Sequence, residues 1–191
     1  MKNRVITISR EFGSGGRTIG KMVAQKLGIP CYDAELIQKI SEESGYAKDF
    51  IEEESEPNAG WFTQVFADRS MGMTQQDVIW SIQCRVIKEL ASQGPCVIVG
   101  RCADYVLRDD ADCLTVFIHA SMEKRAERIV KEYGEREEKP ERRLKEKDKR
   151  RAAYHRFYTD MKWGRANNYQ ICLDSGALGL ETCADIIAQL Y

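Results

Sequence analysis

Val5-Ile6-Thr7-Ile8-Ser9-Arg10-Glu11-Phe12-Gly13-Ser14-Gly15-Gly16-Arg17-Thr18 is the stretch that decides the fold. A short apolar run enters a turn holding Gly13, Gly15 and Gly16, and Ile19, Met22, Val23 and Leu27 then recur at helical spacing. A strand, a glycine loop and a helix in this order build a cradle for phosphate. Glycines let successive backbone N–H groups point inward, and the start of the helix adds partial positive charge. The plain alternative is a glycine-rich turn that binds nothing. Three glycines where one would suffice, beside Arg17 and Thr18 at the helix start, favour phosphate.

The usual form of such a loop, G-x-x-x-x-G-K-[ST], supplies a lysine for the β- and γ-phosphates and a hydroxyl for magnesium. No Gly-Lys-Ser or Gly-Lys-Thr occurs in this chain. Three registers can be laid on the loop. Counting from the end of the strand places Gly16 at the lysine position, followed by Arg17 and Thr18. A shift of one residue reads Gly16-Arg17-Thr18 as Gly-Lys-Thr with arginine for lysine, and leaves Glu11 where the first glycine should stand. The third register, Gly15 to Gly20-Lys21, satisfies both glycines and the lysine but puts Met22 at the hydroxyl position, a full turn into a segment already helical by its spacing. Either of the first two makes Arg17 the cation nearest the phosphates and Thr18 the candidate magnesium ligand, within a phosphate loop of Gly13, Ser14, Gly15, Gly16, Arg17 and Thr18. Arginine is not a neutral replacement, since its planar fork binds two oxygens where lysine acts as a point charge.

With 191 residues, the chain is expected to form a single domain. Its 43% hydrophobic and 31% charged content is that of a globular protein. Twenty-nine basic residues against thirty acidic ones give no global pull toward nucleic acid or an anionic membrane. Seven cysteines fall mostly inside apolar runs without C-x-x-C or metal-ligand spacing, which predicts buried thiols in a reducing compartment. No signal-like stretch and no run of 18 apolar residues occurs, so the expectation is a cytoplasmic protein with no membrane partner.

Strands and helices alternate along the chain. Strands are predicted over about Val5–Ser9, Ile29–Asp33, Cys96–Val99, Cys113–Ile118 and Tyr169–Leu173. Helices are predicted around Leu36, Ile37 and Ile40, over about Thr74–Ala91, from Ser121 to about Tyr133 with Gly134 ending it, and after the last strand. Short continuous apolar strands separated by helices indicate a parallel sheet covered on both faces, which binds ligands at the carboxyl ends of its strands. Weight therefore falls on Arg10 to Thr18, Asp33, Arg101 and His119. Two segments break the alternation. Residues 45–77 carry an acidic stretch and then Trp61, Phe62, Val65 and Phe66 at helical spacing, chiefly a burial signal. Residues 135–162 are dense in charge, with glutamates interleaved in the first half as in a solvated helix with i,i+4 pairs. From Lys149 the acids drop out until Asp160, and Tyr154-His155-Arg156-Phe157-Tyr158 mixes aromatics with arginine, which marks a functional face.

Four places resemble the cytidylate kinase-like proteins, relatives of the nucleoside monophosphate kinases: the loop Ser9 to Arg17, Tyr32-Asp33 after the second strand, Val97-Ile98-Val99-Gly100-Arg101 followed by Asp110-Ala111-Asp112, and Leu173-Asp174-Ser175 with Leu178. The likeness spans nearly the whole chain. It implies a three-layer α/β P-loop NTPase fold with a five-stranded parallel sheet, an acceptor-binding helical insertion at about 45–77 and an arginine-rich lid at about 135–162. It further implies ATP with magnesium as donor and a nucleotide or related small-molecule acceptor, CMP first. Under that resemblance Arg17 holds donor phosphates, Thr18 the metal, and Asp33, Arg69, Arg85 and Arg101 the acceptor. Arg150, Arg151 and Arg156 neutralise the charge on the transferred group. Phosphoryl transfer asks for positioned cations more than for covalent chemistry, which this arginine supply suits. Two other classes stay open: a nucleotide-binding or regulatory module of the same fold that has lost the reaction, and nucleic-acid binding through Lys145 to Arg156, against which the near-neutral charge argues. Assembly into a homo-oligomer is also left open.

Overall fold

The computed structural model describes residues 4–33, 75–109, 112–134 and 138–191. Five parallel strands form one sheet in the order β2-β3-β1-β4-β5. They are β1 (Arg4–Arg10), β2 (Cys31–Tyr32), β3 (Cys96–Val99), β4 (Asp112–His119) and β5 (Ile171–Asp174). The helices are α1 (Gly16–Leu27), α2 (Gln75–Gln93), α3 (Ala103–Val106), α4 (Met122–Tyr133), α5 (Pro140–Thr159) and α6 (Leu180–Leu190), with a 3₁₀ turn at Ala166–Asn168. Central β1 pairs with β3 on one side, Ile6 opposite Val97, and with β4 on the other, Ile6 opposite Leu114.

The alternation of a strand separates the two faces of this sheet. Ile6 and Ile8 of β1 with Val97 and Val99 of β3 pack against Ile19 and Val23 of α1 and Cys183, Ala184 and Ile187 of α6. Val5, Cys96 and Ile98 face the other way, onto Val86, Ile87 and Leu90 of α2 and Ala103 and Leu107 near α3. Both faces are thus buried, and the predicted three-layer arrangement is what forms. The strand run at Ile29–Asp33 shortens to two residues, because β2 lies at the sheet edge and pairs only through Cys31 with Val97 and Tyr32 with Ile98. The short helix α3 lies in a stretch for which no helix is predicted from sequence.

Helix ends follow local chemistry. Ser121 caps α4 by accepting from the Lys124 N–H at 3.3 Å, and Gly134 closes it with φ 74°. The charged segment forms α5, whose exposed start carries the expected i,i+4 pairs of Arg142 with Glu138 and Glu146. All seven cysteines are free thiols; Cys96, Cys102 and Cys183 are buried and the other four half-buried, less enclosed than expected. Burial pushes the Cys96 thiol up to about 12. Within the described residues no helix is long and apolar enough to cross a membrane. The predicted helix around Leu36, the aromatic stripe at Trp61 to Phe66, Arg69 and most of the 45–77 insertion lie outside the described residues.

Candidate active site

The glycine loop occupies the carboxyl end of β1, between its neighbours β3 and β4. Gly13 and Gly15 have φ of 76° and 79°, a region that side chains rarely enter, and a Cβ on Gly15 would stand 2.5 Å from Leu180 Cδ2. Gly16 is the first residue of α1, and the first intrahelical bond runs from the Ile19 N–H to the Gly15 carbonyl at 2.9 Å. The N–H groups of Gly16, Arg17 and Thr18 therefore precede any acceptor within the helix, as at every helix start.

The loop's carbonyls are engaged from its other side. Arg128 donates to the Gly13 carbonyl at 2.8 Å, Ser175 to the Ser14 carbonyl at 2.5 Å, and Arg125 to the Phe12 carbonyl at 3.2 Å. Ser14, wholly buried, donates its hydroxyl to the Glu11 carbonyl. Arg125 is the hub. It is 5% exposed, donates to the Ala120 carbonyl at 3.1 Å, and pairs with Asp148 at 2.5 Å and Glu11 at 3.3 Å. The second Asp148 oxygen accepts from the Phe12 N–H at 2.7 Å, so α5 is tied directly to the loop. With carbonyls committed to these donors, what the loop offers a ligand is N–H groups. That is an anion cradle.

A cleft of about 330 Å³ opens above the loop. Arg10, Arg17, Arg101, Lys147 and Arg151 line it against Glu11, Asp33 and Glu132, a positive balance suited to phosphate. Arg17 Nε lies 2.6 Å from Asp33 Oδ2, so residues expected on the donor and acceptor sides meet at the cleft. Arg101 and Cys102 follow β3 with φ of 57° and 53°, sparsely populated for non-glycine residues, and the buried Gln83 donates to the Arg101 carbonyl at 3.1 Å. Gln83 in turn accepts from the Tyr154 hydroxyl of α5. The strained corner that carries Arg101 is thereby braced by α2 and α5.

Thr18 lines the cleft with Gly13, Gly15 and Gly16, whereas Ser14 is buried beneath the loop. Arg151 reaches the cleft, donates to the Arg10 carbonyl at 3.3 Å and lies over the Phe12 ring. Arg150 and Arg156 do not line it. The reason is helical phase: at about 100° per residue Leu144, Lys147, Asp148, Arg151, Tyr154 and His155 share one face of α5, and Arg150 and Arg156 fall outside it. Arg85 stands exposed on α2, away from the cleft lining, and His119 is likewise not in it. Arg125, Arg128 and Asp148 were not picked out by the sequence reading. A signal existed for Arg125, a charge on the stripe of α4 that Met122 and Ile129 mark as apolar.

Burial pushes the Glu11 carboxyl above its ordinary range, against the opposing pull of Arg125 and of the Ala120 N–H. In the window just above 4.5 the folded chain then binds more protons at this group than the unfolded chain, so this group's contribution to stability falls as pH rises through that window. Glu11→Gln should remove that component: the variant-minus-parent difference in urea midpoint is expected to increase from pH 4 to pH 7, and a flat difference would contradict the assignment.

Among the described residues no group of three or more His, Cys, Asp or Glu could hold a metal ion by itself. Thr18 is the hydroxyl of the glycine loop that lines the cleft.

A family model described as the cytidylate kinase-like family matches residues 5–177. A cytidylate kinase of Archaeoglobus fulgidus is 30% identical over 186 residues, covering 95% of this chain and 91% of the relative. Among solved structures, an uncharacterized protein from Eubacterium ventriosum superposes with a TM-score of 0.73 at 28% identity, over 97% of this chain and 96% of that one. Shikimate kinase from Acinetobacter baumannii, in complex with shikimate, shares the fold at a TM-score of 0.54 and 16% identity, over 100% of this chain and 93% of that one.

Proposed function

This chain belongs to the cytidylate kinase-like family, and from that premise we propose that it transfers a phosphoryl group from ATP to a nucleoside monophosphate, CMP first, or to a related small molecule. The observation that carries the reading is the convergence, in one cleft, of the glycine-loop N–H groups, Thr18, the Arg17–Asp33 pair, Arg101 and Arg151. The loop amides hold the donor phosphates. Arg17, anchored in the first turn of α1 and reaching Asp33, stands between donor and acceptor, and Arg101 and Arg151 take acceptor and transferred charge. An acceptor oxygen attacks the γ-phosphorus while the bond to the bridging oxygen of ADP breaks, and the displaced charge is met by these cations. Magnesium, when bound, neutralises the phosphate oxygens, with Thr18 as the chain's ligand to it. The free cysteines suit a reducing cytoplasm.

Two observations favour a second reading. The loop has no lysine and Arg17 is already paired with Asp33, as in a module that keeps nucleotide without transferring phosphate. Transfer from ATP with magnesium to a panel of nucleoside monophosphates and small hydroxylated compounds separates the two. Product formation fastest with CMP is expected. Measurable ATP affinity with no product from any acceptor would shift the assignment to the binding module.

A further inference from the structure

Building on the phosphotransferase reading, we propose that Arg10 replaces the missing loop lysine: the cation has moved from the loop to the end of β1, and Gly16 is a glycine because Arg10 runs through its space. In the register that puts Gly16 at the lysine position, Arg10 takes the position of the first glycine of G-x-x-x-x-G-K. The two departures are one exchange in space. A Cβ on Gly16 would lie 2.6 Å from Arg10 Cβ and 2.8 Å from Arg10 Cγ, so any side chain at position 16 collides with the arginine stem. Farther along, the Arg10 guanidinium lies against Gly100, closer than any Cβ there would permit. Glycines at 16 and 100 thus clear the path that one arginine follows into the cleft, beside the loop and Arg101.

The chemistry suits the place. A guanidinium keeps its charge at any working pH and grips two phosphate oxygens where lysine grips one. Arg17 is the poorer replacement: its side chain is 54% exposed, whereas Arg10 is half-buried at the loop itself. The Arg10 carbonyl accepts from Arg151, so this residue also registers the position of α5. The plain alternative is that Arg10 only braces Gly100.

Arg10→Gly, Gly16→Lys and the double variant test the exchange, each followed by ATP·Mg affinity from calorimetry, by transfer rate and by melting temperature. Arg10→Gly is expected to weaken ATP and slow transfer by about 10²-fold, the order found for loss of one positioned cation or donor. Gly16→Lys alone should fail as badly and melt lower, because its stem meets Arg10. The double variant, with a glycine at 10 and a lysine at 16, should recover at least about tenfold over Arg10→Gly. Unchanged ATP affinity in Arg10→Gly, or a double variant no better than that single one, would overturn the proposal. Loss of ATP binding in Arg10→Gly when the parent transfers to no acceptor would leave Arg10 assigned and overturn only the kinase reading. A parent that binds no ATP would overturn both.

Discussion

Replacing Arg125 by alanine is expected to lower the free energy of unfolding by about 3–5 kcal/mol, the range for breaking a buried ion pair by removing one partner. The Arg125 side chain is 6% exposed and holds Asp148, whose side chain is 17% exposed, and Glu11, at 26%, while it satisfies the Ala120 and Phe12 carbonyls. Its removal leaves two carboxylates facing each other without their shared cation. Arg125→Lys should recover only part, because an ammonium lacks the fork that reaches four acceptors in different directions. Arg125→Met combined with Asp148→Leu should be less damaging than Arg125→Met alone, since most of the cost is stranded charge. Urea unfolding of the four variants measures this. A loss under about 1 kcal/mol for Arg125→Ala would mean that the hub contributes no more than a surface pair.

Arg17→Ala is expected to lower kcat/KM for phosphoryl transfer by about 10²–10³, because it removes a positioned cation from between donor and acceptor. ATP affinity should fall by less than about tenfold, because the loop N–H groups and Arg10 remain. Asp33→Asn should raise the KM for the acceptor more than that for ATP, and the Arg17→Ala/Asp33→Asn double variant should be less than additive, since the two side chains are in contact at 2.6 Å. Initial rates over both substrates check this. An Arg17→Ala variant at parental rate would remove Arg17 from the reaction and leave it as an anchor for β2.

The strand–loop–helix opening, the five parallel strands and the two-sided core were legible because each rests on local periodicity. Ile6 and Ile8 alternate with Val5 and Thr7, and Ile19 and Val23 recur one turn apart. The left-handed turn of the loop was legible for the same reason, since glycine at 13 and 15 is a local requirement. Contacts across long separations were not. Asp148 bonding the Phe12 N–H joins residues 136 apart, and no spacing announces it. Arg151 against Arg150 and Arg156 is a matter of helix phase, which cannot be fixed until one knows which face of α5 meets the loop. The reading of Arg17 as the cation nearest the phosphates follows sequence proximity. The nearness of Arg10 to Gly16 arises only when the turn folds back over the strand end.

Backbone amide resonances recorded while a non-hydrolysable ATP analogue with magnesium is added test most directly the claim that this loop takes a nucleotide's phosphates. The account predicts that the largest shifts fall on Gly13 to Thr18, with smaller ones at Arg101 and around Arg151. Saturable shifts that leave Gly13 to Thr18 unmoved, or no saturable shift at all, would contradict it.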